Sequence, residues 1–252
     1  MRVALITGAS SGIGAELSRG LCRRGYRVIG IARSVDRLRR LADELGKCFV
    51  YHSIDLLAQD AVDRVEAVAR DVGGIDVLVN NAGGAVAKQL VRHEANEIEE
   101  LFKLNAVRPL QITARLIRYI RRGEVVVNVI TAGIFVEMTS MPIYGAAKSA
   151  LHYATRILRR ELSDAGIAVI AVYPGPVKTE FFTRAGASAP SKALEPRRVA
   201  QAIAEAIEPR RSVDIYLPWY ARFLALLAPW PLRLSFRAAV PTHIYRLGPR
   251  CA

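Results

Sequence analysis

Val3-Ala4-Leu5-Ile6-Thr7-Gly8-Ala9-Ser10-Ser11-Gly12-Ile13-Gly14, running on into Ala15-Glu16-Leu17, is the stretch that decides the fold. A short apolar run ends in a turn holding three glycines, and a segment of helical period begins at once. Strand, glycine-rich turn and helix in that order make a phosphate-binding βα junction. Glycine lets the backbone turn sharply and come close to a pyrophosphate, while the helix N-terminus offers free N–H donors and a partial positive charge. Gly8, Ser10, Ser11, Gly12, Ile13 and Gly14 are therefore candidate contacts to a dinucleotide.

Outward from this turn, apolar runs alternate with amphipathic segments. The alternation predicts strands at 2–7, 27–31, 48–54, 76–80, 124–130 and 167–173. Helices are expected at 12–24, 35–45, 58–71, 142–164 and 197–208, with one long helical stretch from 94 to 121. Parallel strands need crossovers, and strands buried on both faces read as continuous apolar runs such as Val77-Leu78-Val79 or Val125-Val126-Val127. The expected fold class is α/β, a single Rossmann-like doubly wound parallel sheet with helices on both faces. Residues 1–217 would form the dinucleotide-binding catalytic domain, with a Gly-, Ala-, Ser- and Pro-containing loop at 183–196 placed to cover a ligand. Residues 218–252 read as a hydrophobic, basic extension, not an independent domain.

Composition narrows the function classes. With 52% hydrophobic and 23% charged residues over 252 positions, the chain can bury a sizeable core. Its three cysteines, Cys22, Cys48 and Cys251, are odd in number and far apart, which is neither a disulfide framework nor a zinc-ligand spacing. Reduced thiols, a cytoplasmic location and no metal centre are the expectation. The first apolar run is too short for a secretory signal. The formal charge of +13, carried by thirty arginines and six lysines, would gather polyanions without a specific site. No reading helix or aromatic platform accompanies it, so no specific nucleic-acid partner is expected.

The Gly8-x-x-x-Gly12-x-Gly14 spacing resembles the short-chain dehydrogenase/reductase family, and further elements follow in that family's order. Asp55-Leu56 is similar to its adenine-contacting pair. Asn80-Asn81-Ala82-Gly83 resembles its Asn-Asn-Ala-Gly element, and Asn105 stands where the family has its helix Asn. Tyr144-Gly145-Ala146-Ala147-Lys148 matches its Tyr-x-x-x-Lys, and Tyr173-Pro174-Gly175-Pro176-Val177-Lys178-Thr179 its Pro-Gly element with a downstream Thr. The resemblance implies an oxidoreductase moving a hydride between a nicotinamide and a carbonyl or secondary alcohol. It also implies cofactor contacts from Asp55, Leu56, Asn81, Ala82, Gly83, Pro174, Gly175, Val177 and Thr179, and a homodimer or homotetramer paired through long helices.

NADP(H) is expected rather than NAD, because the second strand ends Ile31-Ala32-Arg33 with no acid for the ribose diol, and Arg33 can pair with a 2′-phosphate. Asp36 is the rival, about twenty residues beyond the glycine turn. Alternatively it is a first-turn acid that favours the helix dipole after an N-cap at Ser34.

Tyr144 and Lys148, four apart, share one helix face. Tyr144 would exchange a proton with the substrate oxygen, with Lys148 lowering its pKa and, as the resemblance implies, binding the nicotinamide ribose. Asn105 would hold a water relaying protons to Lys148. The sequence departs from the family at its catalytic Ser, where Thr131 closes the fifth strand and can bring a hydroxyl to the same oxygen. Ser140 competes for that role or caps the following helix. The departure leaves room for a non-catalytic NADP-binding regulator.

The tail from 218 to 252 carries Trp219, Tyr220, Phe223, Trp230 and Phe236 among leucines and arginines, without one acid. It reads as a flap over a pocket for a lipophilic carbonyl or alcohol. Peripheral contact with a membrane and packing on the domain or a partner subunit are the two alternatives.

Overall fold

The computed structural model describes residues 1–227. Seven parallel strands form one sheet in the order β3-β2-β1-β4-β5-β6-β7, the crossover at β1/β4 marking where the strand order reverses. The strands are β1 (Val3–Thr7), β2 (Arg27–Ala32), β3 (Phe49–Ser53), β4 (Ile75–Asn80), β5 (Ile120–Val129), β6 (Ala168–Pro174) and β7 (Val213–Leu217). The helices are α1 (Gly12–Arg23), α2 (Val35–Leu45), α3 (Ala61–Asp71), α4 (Ala95–Phe102), α5 (Arg108–Leu116), α6 (Pro142–Glu161), the short α7 (Phe181–Arg184), α8 (Pro196–Ile207) and α9 (Ala221–Leu227). Ala4 and Ile6 of β1 enter one core layer with Leu17 and Leu21 of α1, Leu38 of α2 and Ile203 of α8. Leu5 points to the opposite layer with Val65 of α3 and Ile112 of α5. Alternate residues are apolar on both sides because both faces are covered, which is why the strands read as unbroken apolar runs.

The expected α/β sheet is present, with three local corrections. The stretch 94–121 is not one helix. Its ladder breaks at a wide π-type turn, Lys103–Val107, and α5 then carries Pro109 in its first turn, where no N–H is lost. Ile120 already pairs with Ile75, so the chain becomes strand four residues before the apolar run at 124. The seventh strand, unforeseen in the sequence, pairs Ile170 with Val213 and Pro174 with Leu217 along the sheet edge. The thiol expectation also fails, since Cys22 and Cys48 form a disulfide. β2 and β3 are neighbours and α1 packs beside α2, so the end of α1 reaches the entry to β3. Residues 26 apart in sequence thereby come to a Cα separation of 5.7 Å, within bridging range. A reducing compartment no longer follows from the cysteines. Cys251 and the tail beyond Leu227 lie outside the described residues.

Candidate functional site

The carboxyl ends of β1, β4, β5 and β6 open into a cavity of about 910 Å³ at the strand-order reversal. Its first wall is the glycine turn. Gly8 and Gly12 have φ of 70° and 54°, a left-handed conformation costly for other residues. A β-carbon at Gly12 would meet Thr179 Cγ2 at 2.8 Å, and one at Gly14 would collide with the Gly8 carbonyl. Gly8, Ser10, Ser11, Gly12 and Ile13 line the cavity, while Gly14 lies behind them and lets the turn close on itself. The turn is stapled to the next strand: Thr7 Oγ1 accepts from the backbone N–H groups of Asn81 and Ala82 at 3.0 and 3.1 Å. The Asn81 amide donates to the carbonyls of Thr7 and Gly8 at 3.0 and 3.3 Å.

Arg33, exposed directly after β2, lines the same cavity, as do Asp55, Leu56, Asn81, Ala82 and Gly83. Asp36 does not; it is exposed in the first turn of α2. Arg37, one residue on, does line it and pairs with Glu180 at 2.6 Å. Glu180 in turn meets Arg184 at 2.5 Å, so an ion-pair chain joins α2 to the segment after β6 across the cavity. Pro174, Gly175, Val177 and Thr179 form the wall beneath it.

At the far end stand Thr131, Tyr144 and Lys148, all lining the cavity. A buried polar ladder sets their spacing. Asn80 and Asn128 are register partners on β4 and β5, with Nδ2 of Asn80 donating to Asn128 Oδ1 at 2.8 Å. Asn128 Nδ2 then donates to Thr155 of α6 at 2.9 Å, which fixes that helix against the strand. Lys148, 2% exposed, donates to the Val129 carbonyl at 2.8 Å. Burial pushes its ammonium down to about 7. Burial likewise pushes the Tyr144 phenol up, opposed by a hydrogen bond with the Thr131 hydroxyl. Lys148, the group expected to lower Tyr144 together with an oxidised nicotinamide, stands close by. Nζ sits 5.9 Å from the ring centroid, and its charge is itself disfavoured by burial.

Thr131 Oγ1 accepts from Gly133 N–H at 3.1 Å, capping a single turn at Ala132–Phe135, and donates to the Pro174 carbonyl at 3.2 Å. Ser140 is not the cap of α6, because Met141 holds that position. The Ser140 hydroxyl is buried without a partner beside the cavity. Asn105 is not in the cavity wall. Its amide donates to the carbonyls of Gly84 and Leu101, both at 2.8 Å, and accepts from Gly84 N–H at 3.2 Å. One donor ties the loop after β4 to the π-type turn and the other closes on Leu101 of α4, with Asn105 Oδ1 directly behind Gly83. Sequence reasoning missed Arg37 and the apolar outer wall of Val136, Met138, Phe181 and Phe182, while Leu224 falls in the segment it read as a flap. The one available signal was Phe181-Phe182 directly following Thr179-Glu180.

The model of the family described as short chain dehydrogenase matches residues 2–189. An uncharacterized oxidoreductase of Staphylococcus epidermidis is 27% identical over 217 residues, 85% of this chain and 94% of the relative. Among solved structures, a short-chain dehydrogenase from Sphingobium yanoikuyae in complex with NADPH is 33% identical with a TM-score of 0.81, over 90% of this chain and 92% of that one. The alcohol dehydrogenase of the archaeon Thermococcus sibiricus, complexed with 5-hydroxy-NADP, is 28% identical with a TM-score of 0.78, over 86% and 95%. The bulky-bulky ketone specific alcohol dehydrogenase of Comamonas testosteroni is 28% identical with a TM-score of 0.79, over 97% and 98%.

Proposed function

Because this chain belongs to the short-chain dehydrogenase family, we propose that it is an NADP(H)-dependent oxidoreductase acting on the carbonyl or secondary alcohol of a lipophilic compound. One observation carries the reading. Thr131, Tyr144 and Lys148 share a single cavity with a glycine turn that side chains at Gly12 and Gly14 would obstruct. That cradle fits a dinucleotide, whose nicotinamide supplies or accepts the hydride when bound.

The glycine turn and Ser10, Ser11 and Ile13 would hold the pyrophosphate. Asp55 and Leu56 would flank the adenine, with Asn81, Ala82, Gly83 and the 174–179 wall enclosing the remainder. Arg33, with Arg37 beside it, would take the 2′-phosphate; the NADPH and 5-hydroxy-NADP in two of the similar structures support that choice. Tyr144 gives its phenol proton to the carbonyl oxygen as the carbon is reduced, and takes it back in the reverse direction. Thr131 orients that oxygen. Lys148 binds the nicotinamide ribose and favours the tyrosinate once charged, while Asn105 holds the adjoining loop. Val136, Met138, Phe181, Phe182 and Leu224 favour an apolar substrate, in keeping with the bulky ketones of the Comamonas relative. The segment 183–196 would serve as the lid, and pairing of α5 and α6 with a second copy would give a dimer or tetramer.

The test is NADPH consumption across ketones and aldehydes of rising lipophilicity, with Tyr144→Phe alongside. The expected result is turnover that grows with apolar size and vanishes in the variant while NADPH still binds. Inactivity throughout the panel, or an active Tyr144→Phe, would overturn the reading.

A further inference from the structure

The chain leaving β7 wraps the cavity mouth with two apolar faces. Pro218, Tyr220, Ala221 and Leu224 line the cavity. Trp219, Phe223 and Leu226 do not line it and are 67%, 50% and 69% exposed, and Tyr220, at the mouth, is itself 56% exposed. On α9 the sets take different faces, Ala221 and Leu224 three residues apart on the inner side and Phe223 and Leu226 three apart on the outer, with Trp219 and Tyr220 in the turn that leads into the helix. The Trp219 ring lies 5.8 Å from Phe223 and 6.2 Å from Tyr220, so the exposed rings make one continuous patch that reaches the mouth. A surface helix with one face toward the core ordinarily turns a polar face to water. Here the outward face is apolar, and its exposed neighbour is Arg222.

Charge identifies what such a patch meets. From 215 to 252 the chain has no Asp or Glu and five arginines, Arg222, Arg233, Arg237, Arg246 and Arg250. Aromatic rings among guanidinium groups suit the headgroup boundary of an anionic bilayer, where rings bury beside acyl chains and cations pair with phosphates. Among the described residues no helix is long and apolar enough to cross a membrane.

We propose that Trp219, Phe223 and Leu226 seat the protein on anionic lipid, with the cavity mouth facing the bilayer so that an apolar substrate enters from the membrane. The docking stands on the patch and the charge pattern; the route for substrate rests on the proposed oxidoreductase reading.

Sedimentation of the full chain with phosphatidylglycerol/phosphatidylcholine vesicles, and with phosphatidylcholine alone, tests the docking. Anionic vesicles should bind about tenfold more tightly or better, with the gain lost in high salt. The variant Trp219→Ser/Phe223→Ser/Leu226→Ser should lose about tenfold or more of that binding while keeping its thermal transition, since the three side chains are exposed. Equal binding to both vesicle types, or full binding by the triple variant, overturns the proposal. So does a change in oligomer size on sizing chromatography without loss of vesicle binding, which would give the patch to a second copy. The route is read separately, from turnover of a ketone dissolved in the vesicles against a water-soluble one. The triple variant should lose only the former; absence of turnover on both, with vesicle binding intact, would refute the oxidoreductase reading and leave the docking standing.

Discussion

Replacing Thr131 by Val removes one hydroxyl from the chemical end of the cavity and almost no volume. In the structure that hydroxyl accepts from Gly133 N–H at 3.1 Å, donates to the Pro174 carbonyl at 3.2 Å and shares a hydrogen bond with the Tyr144 phenol. Its single hydrogen must leave Pro174 before it can point at a substrate oxygen. One donor aimed at a developing oxyanion contributes about 2.7–4 kcal/mol, and giving up a neutral hydrogen bond costs about 1 kcal/mol. The net catalytic loss for Thr131→Val is therefore about 2–3 kcal/mol, roughly 30- to 150-fold in kcat. The variant also loses the cap on the turn at Ala132–Phe135, worth about 1 kcal/mol of stability. Thr131→Ser keeps the hydroxyl and should stay within about threefold of the parent in kcat. Steady-state NADPH oxidation and a denaturant melt on the same preparations separate the two effects. A Thr131→Val protein that melts earlier yet retains its full kcat would show the hydroxyl to be a cap alone. The substrate oxygen would then need another partner, and the unpartnered Ser140 hydroxyl is next in position.

Three further outcomes are expected. Arg33→Ala should weaken NADPH about tenfold or more and leave NADH unchanged, since about 1.4 kcal/mol per charged phosphate contact is lost, and Asp36→Ala should change neither; fluorescence titration measures all four affinities. Burial holds Lys148 down at about 7, so its charge is present below that pH and lost as pH rises through it. Binding the anionic cofactor should restore the charge, with uptake of roughly 0.9 proton at pH 8 and roughly 0.1 at pH 6. Calorimetry in buffers of different ionisation heat should show that uptake and its absence in Lys148→Met. Because the Cys22–Cys48 bridge closes a loop spanning 26 positions, Cys48→Ser or added reductant should lower stability by about 3 kcal/mol; a melt indifferent to reductant would show the thiols to be free.

The glycine turn, the parallel strands and the Tyr144/Lys148 pair were legible in the sequence because each rests on local rules. Backbone freedom at Gly8 and Gly12, apolar runs in strands buried on both faces, and the four-residue helical repeat need no knowledge of distant segments. Reading 94–121 as one helix failed because apolar period alone does not register a π-type turn. Arg37 and Glu180, 143 residues apart, meet only because the segment after β6 runs back over the glycine turn, with Thr179 against Gly12, to the start of α2. The same adjacency of β2 and β3 joins Cys22 to Cys48, which linear spacing had set aside. Asn105, by its place in the sequence a candidate to hold a water, spends its amide on Gly84 and Leu101 because the π-type turn aims it there. Sequence by itself determined the fold and the residue types of the site. Tertiary structure decided which charges pair, which cysteines meet and which way burial moves Lys148, since pairing and desolvation depend on neighbours supplied by other elements.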